Sequence, residues 1–177
     1  MFNRLTTLLR HLWLDESDTR RTLAPEALQR LAQRVAASES GHSGEIRLLV
    51  EASLPASYLW RHLAHAVPMP LLARQRALMM FSKLGVWDTA HNNGVLIYLL
   101  LADRAIEVVA DRGLMRHVDA TQWQAVVQRM QDDFRAGHIE EGLALAVDTV
   151  GALLTKHFPL ADGQGNPNEL PDRVELR

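Results

Sequence analysis

The residues best suited to chemistry fall in three short polar stretches: His42–Ser43–Gly44–Glu45, Asp88 to Gly94, and Asp111–Arg112–Gly113. Together they supply carboxylates (Glu45, Asp88, Asp111), imidazoles (His42, His91), amides (Asn92, Asn93) and a guanidinium (Arg112). Hard divalent cations such as calcium prefer carboxylate, carbonyl and amide oxygens. Imidazole would move the preference toward zinc or manganese. An arginine beside such an ion can grip a phosphate through two parallel hydrogen bonds. Water on the metal would then be acidic enough to attack an ester near neutral pH. The same residues also fit plain structure. Asp88–Thr89 and Asn92–Asn93–Gly94 are ordinary turn chemistry. Asp111–Arg112–Gly113 would serve equally as an ion pair with a glycine at positive φ. The spacing matches no regular metal motif of the His-Glu-x-x-His kind.

Other chemistries are excluded. The chain has no cysteine, so thiolate catalysis, disulfides and cysteine-held zinc are out. It has no Gly-x-Ser-x-Gly elbow, no Walker-type phosphate loop and no dinucleotide fingerprint, so no nucleotide cofactor is expected. Ser43 neighbours His42 and Glu45, but adjacency in sequence does not make a triad. A net charge of −2 argues against nucleic acid as a partner.

Three strands must position the polar stretches. Gly94 to Leu101 is nearly all apolar and too short for an ordinary helix, so it reads as a strand buried on both faces. Ala102–Asp103–Arg104 breaks it, and Ala105 to Ala110 forms a second strand, giving an antiparallel hairpin. That fold lays Asp111–Arg112–Gly113 beside Asn92–Asn93–Gly94. Upstream, Ile46, Leu48 and Val50 alternate with Arg47 and Glu51, which reads as a strand nearer an edge with one partly polar face. A helical crossover joins it to Gly94–Leu101. If the two are parallel, His42 to Glu45 joins the other two loops at one rim of the sheet.

The middle of the chain resembles the TPM-domain family. The residues that carry the likeness are Phe81 to Thr89, Asn92 to Tyr98, Asp103–Arg104 and Ile106 to Gly113. It extends, more weakly, from about residue 24 to about residue 159. The family includes bacterial membrane-associated proteins and a phosphatase-like protein of the plant thylakoid lumen. The resemblance implies an α/β fold, a mixed central sheet sandwiched between helices. It also implies a divalent metal site in some members and weak phosphatase activity in one branch. The matching positions are Asp88, Asn93 and Gly94 on one loop and Asp111, Arg112 and Gly113 on the other. They make Asp88, Asp111 and Asn93 the candidate metal ligands. Arg112, Asn92, Gly94 and Gly113 are the candidate phosphate or ligand contacts. His42, Glu45 and His91 join them only through the placement of the strands.

At 177 residues, with 47% hydrophobic and 23% charged, the chain can bury a full core. We expect an amphipathic helix over residues 1–18, an α/β domain over 19–159 and an extended tail over 160–177. Leu5, Leu8, Leu9, Leu12 and Trp13 share one helical face, off which Arg4 and Arg10 lie. The preferred reading packs that face on the domain; the alternative sets it against a membrane or a partner. Pro25 opens a helix striped with Leu28, Leu31, Ala32 and Val35. Further helices are read over Ser57 to Ala66, beyond Pro68 and Pro70, after Asp119 or Thr121 (Trp123, Val126, Val127, Met130 and Phe134 inward, Gly137 as stop) and over Ile139 to Lys156. Trp87 and Trp123 are assigned to the core and Trp60 to a half-exposed place. His62, His65, His117, His138 and His157 are read as surface or capping residues. No secretory signal and no bilayer-spanning run is read, which suits a cytoplasmic protein peripheral to the inner membrane.

Two functions are expected of such a chain. One is a non-enzymatic or weakly active metal-binding module, holding calcium or a similar ion and working with a protein partner at a membrane surface. The other is a metal-dependent phosphatase-like hydrolase.

Overall fold

A computed structural model describes residues 2–119, 121, 123–124, 127–128, 130–131, 134, 138–161, 163 and 165–177, with side chains from residue 5 onward. The expectations placed on Val126 and Gly137 lie outside the described residues, and that on Arg4 outside the described side chains. The order is α1 (Phe2–Trp13), α2 (Glu16–Thr22), α3 (Pro25–Glu39), β1 (Ile46–Glu51), α4 (Ala56–His65), α5 (Met69–Lys83), β2 (Val95–Leu100), a 3-10 turn (Leu101–Asp103), β3 (Ala105–Ala110), α6 (Arg112–Met115), α7 (Ile139–His157) and β4 (Glu175–Leu176). Between α6 and α7, Thr121, Trp123, Met130 and Phe134 are among the helical residues, and Asp119 Oδ1 accepts the Thr121 N–H at 2.8 Å. No helix among the described residues is long and apolar enough to cross a membrane.

The sheet is mixed, in the order β3-β2-β1-β4. β1 and β2 run parallel with Ile46 opposite Val95, and β3 returns antiparallel with Ala110 opposite Val95. Strand alternation feeds two cores. Leu48, Val50, Ile97, Leu99, Ile106 and Val108 pack with Leu31, Val35, Val147 and Leu154 of α3 and α7. Leu49, Leu96, Tyr98 and Leu100 pack on the other face with Leu59, Leu72, Ala77 and Met80 of α4 and α5. Helices on both faces explain why β2 carries almost no polar residue.

Three local readings are corrected. β1 is not itself an edge and has no solvated face: it lies between β2 and the two-residue edge strand β4 and is buried along its whole length. Residues 166–177 run back across the domain, and Glu175–Leu176 pairs with β1, Leu49 opposite Glu175. The polar side chains of β1 are therefore inside, each with a partner. Arg47 donates to the carbonyls of Pro171 and Arg173, the latter at 2.7 Å, and to Glu175 at 3.2 Å. Glu51 receives both arms of the Arg76 guanidinium, Nε at 2.9 Å, and the Tyr98 hydroxyl at 2.8 Å.

Trp87 is 52% exposed, because its neighbour Val86 occupies the core position after the left-handed turn at Gly85. Trp123 is buried, and Trp60 is exposed.

Helix α1 is inverted relative to the expected packing. Leu8 alone of its apolar stripe rests on the core, while Leu5, Leu9, Leu12 and Trp13 face outward. The inward anchor is polar. His11 is buried, accepts the Leu54 N–H on Nδ1 at 3.1 Å, and offers Nε2 to Asp103 at 3.1 Å.

Candidate functional site at the rim of the sheet

The register brings the three polar stretches to one end of the sheet. Two backbone bonds lace the loops: Asp111 N–H donates to Gly94 O at 2.9 Å, and Gly113 N–H to Asn92 O at 2.8 Å. Val95 N–H reaches Glu45 O at 2.8 Å, which ties in the third stretch. The glycines permit this closeness. A Cβ on Gly113 would lie 2.4 Å from Asn92 O, and one on Gly94 would lie 2.0 Å from Val86 O. Gly113 is thus needed for close approach and not for a positive φ, which among these residues Asn92 adopts.

The side chains divide into an outer and an inner group. In the outer group, Asp111 Oδ1 accepts the Arg112 N–H at 2.6 Å and caps α6, in place of an ion pair with the Arg112 guanidinium. Arg112 Nε instead donates to Asn92 Oδ1 at 3.1 Å. Asn93 is fully buried. Its N–H donates to Thr89 Oγ1 at 3.1 Å and its Nδ2 to Ser43 O at 3.0 Å. Two oxygens are left over. Asn93 Oδ1 and Asp111 Oδ2 are buried without a hydrogen-bond partner among the described residues. Buried acceptors are ordinarily satisfied, so each such atom needs an explanation. Asp88 and His91 lie exposed on the same loop.

The inner group faces the C-terminal segment. Glu45 is fully buried, with Oε2 accepting the Leu170 N–H at 3.0 Å and Oε1 accepting Asn166 Nδ2 at 3.2 Å. Burial raises its pKa against the pull of those donors. His42 donates from Nδ1 to Gly44 O at 3.0 Å, so Nε2 is the acceptor for the Ser38 hydroxyl at 3.0 Å. Burial lowers its pKa and keeps it neutral. Glu39, which the sequence reading passed over, accepts the Ile46 N–H at 2.7 Å. Desolvation first, then the nearby carboxylates of Glu45 and Asp172, push its pKa up to about 8. A signal for it was present: Glu39 continues the Leu31, Val35 line one helical turn further, where a charge is out of place. His42 and Glu45 therefore share the rim with Asn93 but spend their polar atoms on the fold.

Among the described residues, no three His, Asp or Glu side chains gather closely enough to hold a metal ion by themselves. Oxygen chemistry fits the two orphaned atoms, one amide and one carboxylate.

Fold and rim together define a small α/β sandwich with three loops gathered at one end of its sheet. The chain belongs to the TPM domain family, whose model matches residues 17–153. Its structure is similar to that of the BA42 protein from the psychrophilic bacterium Bizionia argentinensis, at 25% identity and a TM-score of 0.71, over 86% of this chain and 94% of that one. It is also similar in fold to the N-terminal domain of a P. gingivalis protein, at 22% identity and a TM-score of 0.58, over 78% of this chain and 83% of that one. No curated protein matches the chain.

Proposed function

We propose that this chain is a non-enzymatic binding module whose rim holds a hard divalent cation, calcium or a similar ion. The observation that carries this reading is the pair of buried, partnerless oxygens, Asn93 Oδ1 and Asp111 Oδ2, on two loops laced backbone to backbone. A cation held between the two loops would satisfy both acceptors, and oxygen-only donors select calcium or magnesium over zinc. Asp88, on the same loop and exposed, can add a carboxylate once an ion is present. One or two protein charges make a weak site, with a dissociation constant on the order of 10⁻⁴–10⁻³ M.

A hydrolase needs a poised nucleophile or base beside the ion, and three of the rim's polar groups are engaged elsewhere. His42 is committed through both ring nitrogens, and Glu45 through both oxygens. Arg112 is bound to Asn92. The ion's role is then to fix the Asn92–Gly94 and Asp111–Gly113 loops as a recognition surface.

Calcium titration followed by amide NMR tests this. Saturable shifts centred on residues 92–94 and 111–113 are expected, lost in Asp111→Asn with the remaining spectrum unchanged. No saturable shift at millimolar calcium would overturn the reading. Turnover of a generic phosphate ester above a metal-only blank, abolished by Asp111→Asn, would replace it with the hydrolase.

A further inference from the structure

The acidic residues of this chain are unevenly placed. It carries 21 Asp and Glu, yet none occurs from Met1 to Leu14 or from Ala52 to Trp87. Those two stretches are α1, α4 and α5. In space they are neighbours, α1 contacting α4 and α4 contacting α5, and together they cover one face of the sheet.

The layer is not simply neutral. α1 carries Arg10, α4 carries Arg61, His62 and His65, and α5 carries Arg74, Arg76 and Lys83. The acids that pair with Arg10, Arg74 and Arg76 are Asp103, Glu107 and Glu51, which belong to the sheet and its hairpin. Those carboxylates are largely covered, with side chains 14%, 18% and 6% exposed; Arg76 is buried with its partner, while Arg10 and Arg74 stay half and two-fifths exposed and form the outer charge.

The exposed apolar residues fall on the same layer. On α1, Leu5, Leu9, Leu12 and Trp13 point outward, because His11 and Arg10 hold the polar side of the helix against Asp103. Trp60 of α4 is 65% exposed, and Leu71 and Leu78 of α5 are exposed two turns apart on one side. The opposite layer differs. There α3 and α7 pair Arg30 with Glu140 and Arg34 with Asp148 at the surface, and no large apolar side chain of either is exposed.

We propose that the α1–α4–α5 face docks on an anionic lipid bilayer. Tryptophan and leucine on an acid-free, cationic helical surface match the interfacial zone, where rings sit at headgroup level and arginines meet phosphates. A second copy of the chain fits poorly, since a symmetric dimer through this face brings two acid-free cationic surfaces together. The inference rests on α1, α4 and α5 and is independent of the rim.

The test is flotation of the full chain with vesicles of phosphatidylcholine alone and of phosphatidylcholine mixed with phosphatidylglycerol. Binding is expected to the anionic vesicles, to weaken with salt, and to fall roughly tenfold or more in Leu9→Gln/Trp13→Gln. Both residues are exposed, so that variant keeps its fold, which its circular dichroism and melting confirm. Arg61→Glu should weaken binding to anionic vesicles and leave the neutral ones unchanged. Absence of binding to anionic vesicles, or equal binding by wild type and the double variant, overturns the proposal. So does a concentration-dependent dimer that the double variant abolishes, which would give the face to a second copy.

Discussion

Replacing Glu39 by glutamine should make the protein more stable, and only above mildly acidic pH. Glu39 closes α3, is 6% exposed, and sits among Glu45 and Asp172. Its pKa rises from 4.5 to about 8, so the folded protein keeps the proton that the unfolded chain releases. Between those two values the native state binds more protons than the unfolded state, and stability falls as pH rises. Each pH unit of that span costs about 1.4 kcal/mol. The full penalty, reached by pH 8, is on the order of 4–5 kcal/mol. Glutamine keeps an oxygen for the Ile46 N–H and has no charge to desolvate.

Urea unfolding of wild type and Glu39→Gln at pH 4.5, 6, 7 and 8.5 reads the effect. The two proteins should agree within about 1 kcal/mol at pH 4.5 and diverge steadily, the variant ahead by several kcal/mol at pH 8.5. In melting temperature the gap at pH 8.5 should be roughly 10 °C for a domain of this size. Taking the difference between two proteins removes the common background. That background includes Glu45, whose raised pKa acts in the same sense, and His42, whose lowered pKa takes stability away as the pH falls. A gap that does not change with pH, or a variant weaker than wild type at pH 8.5, would refute the assignment of Glu39 as a carboxyl protonated at neutral pH.

Two further outcomes follow from buried contacts. Arg76→Ala strands the Glu51 carboxylate beneath α5 and should cost about 3–5 kcal/mol in denaturant unfolding, whereas Arg76→Ala with Glu51→Gln should recover part of the loss because no buried charge remains. Gly113→Ala drives a methyl against the carbonyls of Asn92 and His91 and should cost about 1–3 kcal/mol, with amide shifts confined to the two rim loops.

The parts of the fold that could be read from sequence are those whose causes are local. The β2–β3 hairpin declares itself because Val95 to Leu100 is apolar on both faces and the break at Ala102–Arg104 is short. The convergence of Asn92–Gly94 with Asp111–Gly113 follows from that hairpin alone, since antiparallel pairing fixes which ends meet. What escaped has distant causes. Arg47 and Glu51 read as a partly polar face of a strand nearer an edge, and they are buried because Pro171, Arg173 and Arg76 arrive from far along the chain. Glu45 and His42 read as possible ligands, and the hydrogen bonds they make to Leu170, Asn166 and Ser38 again come from residues outside their own loop.

Helix α1 shows the limit of periodicity most plainly. A stripe at helical spacing identifies two faces without saying which one turns inward. The decision rests with His11, whose two ring nitrogens meet the Leu54 N–H and Asp103. With that imidazole satisfied on both sides, Leu5, Leu9, Leu12 and Trp13 stay exposed, and the bilayer proposed above would take them out of water. An amphipathic helix held by its polar face is therefore evidence about the surroundings of the molecule as much as about its fold.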